Sequence, residues 1–501
     1  MPFLDDTSRR EAELFASLFR INPFGDERQK LEQALLQDAW KNPLDDDDAA
    51  EANQLALEHS ARVLTSKLLH RLHEGYAARG DDADLYREVA LVSLYDAFAV
   101  RFDGLTDGTK GAVPFYGDFI ERFEELFRTE PRTRPEETPG HLFALFFQLR
   151  RAFHHVHRFL LGSSTAARAL RAEVWRSIFT HDIARYRRGL FERLGEVPTM
   201  ITGPSGTGKE LVARAVALSR YVPFDEKRRA FDWDPSRAFL AVNLSALSPT
   251  LLESELFGHK KGAFTDARED REGWLSACPN YGAVFLDEIG DVDAGIQVKL
   301  LRVLETRSFS PLGSTDVEPF VGKLIAATHK SLDDEMRAGR FREDLAYRLQ
   351  ADVLHTPSLQ TRLQQDPAEL DLLVGFLAAQ AAGDDEAEGL KADVLQALAT
   401  LPDGYPWPGN VRELLQAVRQ VMVHGTYRPP LRASSSSSSS SGPQWLKDLR
   451  AGTLDVDTVV DHYVFQVYEQ VGSYDGAGRV LGLDRRTVKS RVKRAMEAST
   501  S

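Results

Sequence analysis

A glycine-rich stretch sets the architecture that we predict for this chain: Gly203-Pro204-Ser205-Gly206-Thr207-Gly208-Lys209-Glu210. An apolar, β-prone run (197–202) precedes it, and a helical pattern (211–218) follows it. Strand, glycine loop and helix in this order are the context of a phosphate-binding loop, whose backbone N–H groups point inward at a polyphosphate. The helix start adds further donors and a positive dipole end. A glycine-rich turn without a ligand is the alternative, and the flanking strand and helix argue against it.

The last two residues of this stretch bear on its chemistry. Lys209 supplies a positive charge for the β- and γ-phosphates of a nucleoside triphosphate. The next residue in such loops is usually Ser or Thr, whose hydroxyl binds Mg²⁺, but this chain has Glu210. We therefore expect other groups, such as Asp287 and water, to bind the metal.

Length and composition indicate a globular protein with several domains. For 501 residues we expect three or four domains, and contents of 43% hydrophobic and 27% charged residues are ordinary. The net charge of -13 argues against a chain that coats nucleic acid, although a local basic patch remains possible. The single cysteine, Cys278, excludes an internal disulfide and is expected in the core. Without a signal-peptide pattern or a membrane-spanning apolar run, we expect a cytoplasmic enzyme or regulator.

Three further apolar runs have the pattern of buried strands in a parallel sheet, at 239–244, 282–288 and 323–329. Each ends in polar residues, and α/β sheets place their ligands at the carboxyl ends of their strands. The residues concerned are Asn243, Asp287, Glu288, Thr328 and His329. Asp287 would hold Mg²⁺, and Glu288 would polarise a hydrolytic water. Thr328 and His329 could read the γ-phosphate, or they could merely cap the next segment.

Three arginines downstream could also act on a nucleotide. Arg342 and Arg348, in the pattern 341–349, would stabilise the transferring phosphate if they were offered to the nucleotide of a neighbouring subunit. Their sequence context alone favours a helix with surface salt bridges. Arg412 lies near the start of a helix in the helical region 361–428, from which it could reach a nucleotide.

The two ends of the chain differ in what they reveal. Residues from about 1 to 160 read as mostly helical, and their position suggests a sensory or interaction domain. Near the other end, a serine tract (434–441) predicts a flexible linker. Two helical patterns, a glycine turn and a basic helix capped by Asp484 then predict a helix-turn-helix. The candidate DNA contacts are Arg485, Arg486, Thr487, Lys489, Ser490, Arg491, Lys493 and Arg494. A solvated basic helix is the alternative.

From about residue 160 onward the chain resembles the sigma-54-dependent transcriptional activators, or bacterial enhancer-binding proteins, which are AAA+ ATPases. Residues 203–209 match the Walker A motif of the family and residues 282–288 match Walker B. By the same resemblance Asn243 would restrain the Walker B glutamate, Arg342 and Arg348 would be arginine fingers, and Arg412 would be the sensor II arginine. Thr328 lies in the sensor I segment, where His329 replaces the usual asparagine. Gly-Lys-Glu is also usual in this family, which accounts for Glu210.

The most specific match is Gly262-Ala263-Phe264-Thr265-Asp266-Ala267. It is similar to the Gly-Ala-Phe-Thr-Gly-Ala loop of the family, which contacts sigma-54. A Phe-Thr tip between small residues would be an exposed, mobile apolar probe. Asp266 replaces a glycine, which would stiffen the loop and add a ring of negative charge in a hexamer. We still expect sigma-54 contact because Phe264 and Thr265 are retained.

The sequence patterns and the resemblance together imply a multidomain fold with five segments. These are a mostly α-helical N-terminal regulatory or sensory domain of unknown type (1–158), an α/β AAA+ ATPase core with a parallel sheet (159–358), an α-helical lid (359–430), a serine-rich linker (431–444) and an all-α, Fis-type helix-turn-helix domain (445–501). The implied protein is a cytoplasmic bacterial hexamer that uses ATP and Mg²⁺, binds double-stranded upstream enhancer DNA and remodels closed complexes of sigma-54 RNA polymerase. Two alternatives are another AAA+ remodelling ATPase tethered to DNA, and a DNA-binding regulator whose sigma-54 contact is impaired by Asp266.

Overall fold

The computed structural model describes residues 2–41, 49–106, 108, 111–128, 134, 137–264, 267–402, 404–429 and 455–498. The chain divides into two units, Met1–Arg428 and Pro429–Ser501, which are described separately. The predicted serine-rich linker lies outside the described residues. Among the helices that are described, none is long and apolar enough to cross a membrane.

The N-terminal region is helical, as its periodicity predicts. Its main helices are α1 (Asp6–Arg20), α2 (Asp26–Leu36), α3 (Ala49–His73), α4 (Asp81–Asp103), α5 (Tyr116–Phe127) and α6 (Pro139–Phe159). Local capping explains where some of them begin: the Asp5 carboxylate accepts a hydrogen bond from the Ser8 backbone N–H, and Thr138 caps α6 ahead of a proline. Helix α6 is deeply buried, since its side chains from Leu142 to Phe147 are all fully enclosed.

A five-stranded parallel sheet forms the centre of the first unit. Its strands are β1 (Thr199–Thr202), β4 (Phe239–Asn243), β5 (Ala283–Asp287), β8 (Lys323–Thr328) and β9 (Asp352–His355), in the spatial order β4-β5-β8-β1-β9. Two small hairpins, β2 (Phe224–Asp225) with β3 (Ala230–Phe231) and β6 (Ser308–Phe309) with β7 (Glu318–Pro319), lie outside it. Four of the five central strands are predicted from apolar runs. Strand β9 gives no signal in the sequence, because its residues are mostly exposed or half-buried and form no apolar run.

Helices connect and flank these strands. In chain order they are α7 (Thr165–Phe179), the single turns α8 (Ile183–Arg185) and α9 (Phe191–Arg193), α10 (Lys209–Leu218), α11 (Pro249–Phe257), α12 (Trp274–Ala277), α13 (Ala294–Thr306), α14 (Leu332–Arg337) and α15 (Glu343–Leu349). Four more form the lid: α16 (Leu359–Gln365), α17 (Glu369–Ala382), α18 (Asp384–Leu398) and α19 (Asn410–His424). The lid has a hydrophobic core of its own.

The N-terminal helices share one hydrophobic core with the sheet. A continuous cluster of buried side chains runs from Phe3 in the N-terminal region to Leu354 in β9. At its centre the rings of Phe143 and Phe147 on α6 lie 5.7 and 4.3 Å from that of Phe231 on β3. The domain boundary at 158/159 stays a prediction, and the core continues across it.

The second unit is a small three-helix bundle. It comprises α20 (Val456–Val471), α21 (Tyr474–Leu481) and α22 (Arg485–Ala498). A small apolar core holds it together, with Val464, Ala477 and Val488 almost fully buried. The turn between the last two helices contains Gly482 at φ +68°, a conformation that glycine adopts readily. Asp484 accepts hydrogen bonds from the backbone N–H groups of Arg486 and Thr487, as its predicted capping role requires.

Candidate nucleotide site

The phosphate loop connects the carboxyl end of β1 to the start of α10. Its glycines Gly203, Gly206 and Gly208 have φ values of +142°, +80° and +94°. A Cβ atom on Gly206 would lie 2.2 Å from the carbonyl oxygen of Gly409, and one on Gly203 would lie 2.2 Å from Thr356 Oγ1. Both the backbone conformation and the close approach of neighbouring groups therefore require glycine in this loop.

Lys209 folds back over the loop that precedes it. Its ammonium group donates to the carbonyl oxygens of Gly203 at 3.1 Å and Pro204 at 3.2 Å, and the residue is only 7% exposed. Burial lowers the pKa of Lys209, while the charges of Glu288 and Asp287 oppose that shift. The lysine thus lies inside the loop and close enough to the two carboxylates to interact with them.

The two carboxylates lie at the carboxyl end of β5, which is flanked by β4 and β8. Asp287 is the last residue of β5 and pairs in register with Asn243 of β4. Burial raises the pKa of Asp287, the adjacent Glu288 charge raises it further, and Lys209 opposes both. Glu288 has a left-handed backbone at φ +57°. Such strain in a residue other than glycine is typical of functional sites, where the surrounding structure holds it in place.

His329 contacts the side chain of Glu288. The imidazole Nδ1 lies 2.7 Å from Glu288 Oε2, and the His329 backbone N–H donates to the same oxygen at 3.4 Å. Asn243 lies at the end of β4, as predicted, but its side-chain oxygen accepts from the backbone N–H and hydroxyl of Ser245, at 3.0 and 2.8 Å. The side-chain oxygen of Asn243 is therefore engaged within its own turn, and the restraint of Glu288 by this residue stays a prediction.

Thr328 is less accessible than its predicted role requires. The residue is fully buried, and its hydroxyl accepts a hydrogen bond from the Lys330 backbone N–H at 3.1 Å. Its local bonding matches the capping alternative. The polar group that this strand end offers to the site is the neighbouring His329.

The lid meets the phosphate loop through the residues around Arg412. The Arg412 guanidinium donates to Ser205 Oγ at 2.9 Å, and its backbone N–H donates to the Gly206 carbonyl at 3.3 Å. The Asn410 side chain links the same elements: it donates to the Ser205 carbonyl at 2.9 Å and accepts from the Leu359 backbone N–H at 2.8 Å. The structure therefore places Arg412 beside the loop, and its contact with a nucleotide stays a prediction.

Arg342 and Arg348 lie on the surface of the unit. Arg342 forms a two-point ion pair with Asp344, at 3.0 and 2.7 Å, and Arg348 lies 3.3 Å from Glu305. These exposed pairs match the surface salt-bridge interpretation for a single chain. Action on the nucleotide of a neighbouring subunit stays a prediction.

The loop containing Phe264 is held at its base and covered at its ring. His259 and Arg271 exchange backbone hydrogen bonds at 3.0 and 2.9 Å, which closes the loop like a hairpin. Phe264 is half-buried, with its ring 4.9 Å from the His259 ring, so this half of the expected exposed tip is partly covered. Contact with an imidazole removes apolar surface from water. Thr265 and Asp266 lie outside the described residues.

The basic helix of the second unit contains both paired and exposed cations. Arg491 pairs with Asp461 at 2.7 Å and is only partly exposed, and Arg494 pairs with the same carboxylate at 3.1 Å. Arg491 therefore holds α22 against α20, in addition to its predicted role as a DNA contact. Among the other candidate DNA contacts, Thr487 bonds to Asp484, and Arg485 lies 3.3 Å from Asp475. The exposed candidates are Arg485, Arg486, Lys489, Ser490, Lys493 and Arg494.

A parallel sheet with a phosphate loop, a strand-end Asp-Glu pair and a helical lid defines the AAA+ class of ATPase folds, as predicted. Residues 185–355 match the family model of the Sigma-54 interaction domain. The hydrogenase transcriptional regulatory protein HoxA of Cupriavidus necator is 43% identical over 230 residues, which are 46% of this chain and 43% of that protein. The transcriptional regulatory protein ZraR of Escherichia coli K12 is 37% identical over 306 residues, which are 60% of this chain and 64% of that protein.

These matches confirm the resemblance to sigma-54-dependent transcriptional regulators that the motifs predict. The chain spans less than two thirds of the length of the curated relatives it matches. Among solved structures, the crystal structure of NtrX from Brucella abortus in complex with ATP is 22% identical, with a TM-score of 0.41 over 81% of this chain and 87% of that chain.

Proposed function

We propose that this protein hydrolyses ATP and uses the energy to activate transcription by sigma-54 RNA polymerase. The observation that carries the proposal is the convergence of Lys209, Asp287, Glu288 and Arg412 on one phosphate loop. The sigma-54-type domain match supports the choice of polymerase.

Mg²⁺ fits the donor set beside the loop. The half-buried Asp287 carboxylate supplies the hard oxygen ligand that Mg²⁺ prefers, and its raised pKa reflects burial together with the neighbouring Glu288 charge. When bound, Mg²⁺ would supply positive charge that neutralises the phosphate oxygens. Asp287 and water would hold the metal, because Glu210 replaces the hydroxyl residue usual after the loop lysine.

The residues of the chain divide the remaining work. Lys209 and the loop N–H groups bind the β- and γ-phosphates. Arg412, which lies on the lid, couples the position of the lid to the nucleotide state. Glu288 accepts the proton of the attacking water. Arg342 and Arg348 complete the site of an adjacent subunit in a hexamer, where an arginine stabilises charge on the transferring phosphate.

Two surfaces connect hydrolysis to transcription. The Phe264 loop contacts sigma-54 when nucleotide turnover releases its ring from His259. The exposed cations of α22, including Arg486 and Lys489, bind the phosphates and base edges of upstream DNA. A remodelling ATPase of another kind, tethered to DNA by the same helices, is the second candidate.

Glu288→Gln tests the catalytic assignment. The variant keeps a hydrogen-bonding side chain but cannot act as a base, so we expect ATP to bind normally and turnover to fall by about a hundredfold or more. Glu386→Gln, an exposed change on α18, is the matched control. ATP turnover per subunit should also rise with protein concentration if Arg342 and Arg348 act between subunits. Normal turnover in Glu288→Gln would remove this residue from the mechanism.

Phe264→Ala separates the two candidate functions. The variant should hydrolyse ATP normally yet fail to open a promoter in transcription with purified sigma-54 polymerase. Phe376→Ala is the control, because it truncates a phenylalanine that is 43% exposed on the lid. This variant should both hydrolyse ATP and open the promoter. Full promoter opening by Phe264→Ala would contradict sigma-54 contact and favour another remodelling ATPase.

A further inference from the structure

A large cavity lies at the edge of the sheet opposite to the phosphate loop. Its volume is about 710 Å³, and its lining includes residues just ahead of β1, β5 and β8 and the last turns of α10. Because the strands are parallel, all these strand starts share one edge, whereas the phosphate loop follows the carboxyl end of β1. The four residues of β1 separate the two edges by about 13 Å at 3.3 Å per residue. The cavity is therefore distinct from the candidate nucleotide site.

Three cationic side chains meet in the deeper part of this cavity. Arg220 follows α10 and donates to the Gly282 carbonyl, Arg307 follows α13 and donates to the Gly322 carbonyl, and Lys323 begins β8. Lys323 is 3% exposed, and its ammonium group donates to the Val197 carbonyl at 2.6 Å.

Among the described residues no carboxylate forms an ion pair with these three cations, and the acidic charges that act on them, Glu196 on Arg307 and Asp352 on Lys323, do so from a longer distance. Within the described ranges, no carboxylate oxygen lies within 4.0 Å of Arg220, Arg307 or Lys323. Burial lowers the pKa of Lys323 to about 7, and both arginines lower it further, while Asp352 opposes them. Charged groups that are partly buried together and lack a counter-ion disfavour their own ionised forms, and an anion placed among them reverses that effect.

The rest of the cavity sets the size and the character of a ligand. Aromatic side chains form its walls, among them Tyr186, Phe191, Tyr221, Phe224 and Phe320. The volume falls within the range of roughly 300–1,000 Å³ that is typical of sites for small organic ligands. The wall residues come from α6, from the segment between α7 and β1, and from the ATPase core, so the site spans both parts of the shared core.

The acidic residues of the cavity lie on its exposed side. Glu192, Glu196 and Glu226 also line it, and all three are exposed to solvent. Glu196 pairs with Arg193 at 3.3 Å, and Glu226 accepts from the Tyr116 hydroxyl at 3.2 Å. These charges would repel a highly charged anion such as a nucleoside triphosphate, and they favour a ligand with a single acidic group.

We propose that this cavity binds a small organic anion. Its carboxylate, sulfonate or phosphate group contacts Arg220, Arg307 and Lys323, and its aromatic or other apolar body packs on the ring-lined walls. The site would connect the N-terminal helices to the ends of β1 and α10 that lie opposite the phosphate loop. The proposal concerns ligand binding and stands independently of ATP hydrolysis.

A pair of matched ligands tests the proposal on the unmodified full chain. Isothermal titration calorimetry with naphthalene-2-sulfonate should show saturable binding at one site, in the presence of ADP to occupy the phosphate loop. The uncharged naphthalene-2-sulfonamide should bind about tenfold or more weakly, the loss expected for charge-assisted hydrogen bonds. Equal binding of the two compounds, or no saturable binding of the sulfonate, would overturn the proposal.

Variants then locate the bound anion. Arg307→Gln should weaken sulfonate binding by about tenfold, Arg307→Lys should retain most of it, and Arg302→Gln, an exposed arginine on α13 outside the cavity, should leave it unchanged. Identical affinities in Arg307→Gln and Arg302→Gln would contradict the assignment. If Arg307→Gln fails to fold, the comparison of the sulfonate with the sulfonamide on the unmodified chain still decides whether the cavity binds an organic anion.

Discussion

Replacing Arg187 by methionine is expected to destabilise the Met1–Arg428 unit by about 3–5 kcal/mol. Arg187 is 2% exposed and precedes β1. Its guanidinium donates to both carboxylate oxygens of Glu88 on α4, at 2.7 and 3.2 Å, and its Nε lies 2.6 Å from Glu137, just ahead of α6. Both glutamates are almost fully buried. The methionine would leave two buried carboxylates without their main counter-ion, and that loss accounts for the size of the effect.

Two controls separate the buried charge from other effects of the change. Arg185→Met removes a neighbouring arginine whose exposed pair with Asp182, at 3.2 Å, should contribute about 1 kcal/mol or less. Combining Arg187→Met with Glu88→Gln and Glu137→Gln removes all three charges at once. This neutral combination should recover part of the lost stability, because no unpaired charge remains buried.

The effect of pH gives a further signature of this ion pair. Burial alone would raise the pKa of Glu88, but Arg187 outweighs it and holds the pKa below its ordinary value. Because the folded pKa is the lower one, Glu88 stabilises the fold above its unfolded pKa, and that contribution is lost as the pH falls through the folded pKa. In Arg187→Met the effect of burial is no longer opposed by Arg187, so the pKa of Glu88 rises. Protonation of Glu88 at lower pH then removes its buried charge and makes the variant more stable. The stability gap between the two chains should therefore narrow as the pH falls from 7 to about 5.

Urea denaturation followed by tryptophan fluorescence and circular dichroism measures these differences. Trp175 and Trp233 lie in the shared core and report on it directly. We expect one transition that moves to lower urea with an unchanged slope. A stability within about 1 kcal/mol of the Arg185→Met control, or a gap that does not change with pH, would refute the reasoning.

Three further outcomes are expected. His329→Ala should lower kcat for ATP by about tenfold with ATP affinity unchanged, because Glu288 loses its positioning contact; equal loss in affinity would indicate general damage. Gly206→Ala should weaken ATP binding by about tenfold or more, because its Cβ would overlap the Gly409 carbonyl. The control Gly404→Ala also places an alanine at positive φ, but its Cβ meets nothing within 4 Å, so this variant should bind ATP normally. Lys489→Gln should reduce the slope of log K for DNA binding against log salt concentration by about one unit, as measured by filter binding at several salt concentrations. The control Lys30→Gln, in the first unit, should leave the slope unchanged. An unchanged slope in Lys489→Gln would show that Lys489 does not contact phosphates.

The central strands and the phosphate loop are predictable because their signals are local. Apolar runs bounded by polar residues fixed β1, β4, β5 and β8 to within a few residues of their observed ends. Glycines at positive φ likewise follow from the spacing of the loop itself. The buried position of Cys278 also agrees with the expectation for a lone cysteine.

The remaining features depend on contacts between distant segments. Helical periodicity shows that α6 has an apolar face, but it does not show that Phe231 covers that face. The contact of His329 with Glu288 requires β5 and β8 to be neighbours, which a single sequence does not state. The pairing of Arg491 with Asp461 similarly depends on how α20 and α22 pack. Each of these residues looks like an ordinary surface or site residue when it is considered alone.

The shared core has a consequence for how this protein can be cut or recombined. A fragment that began after α6 would expose Phe231 and leave Arg187 without both of its glutamates. The N-terminal helices therefore cannot be exchanged for another domain by joining two sequences at a single point. A chimaera would need to keep α6 and the segment leading to β1 together with the parallel sheet, so the N-terminal helices and the sheet would have to be inherited together.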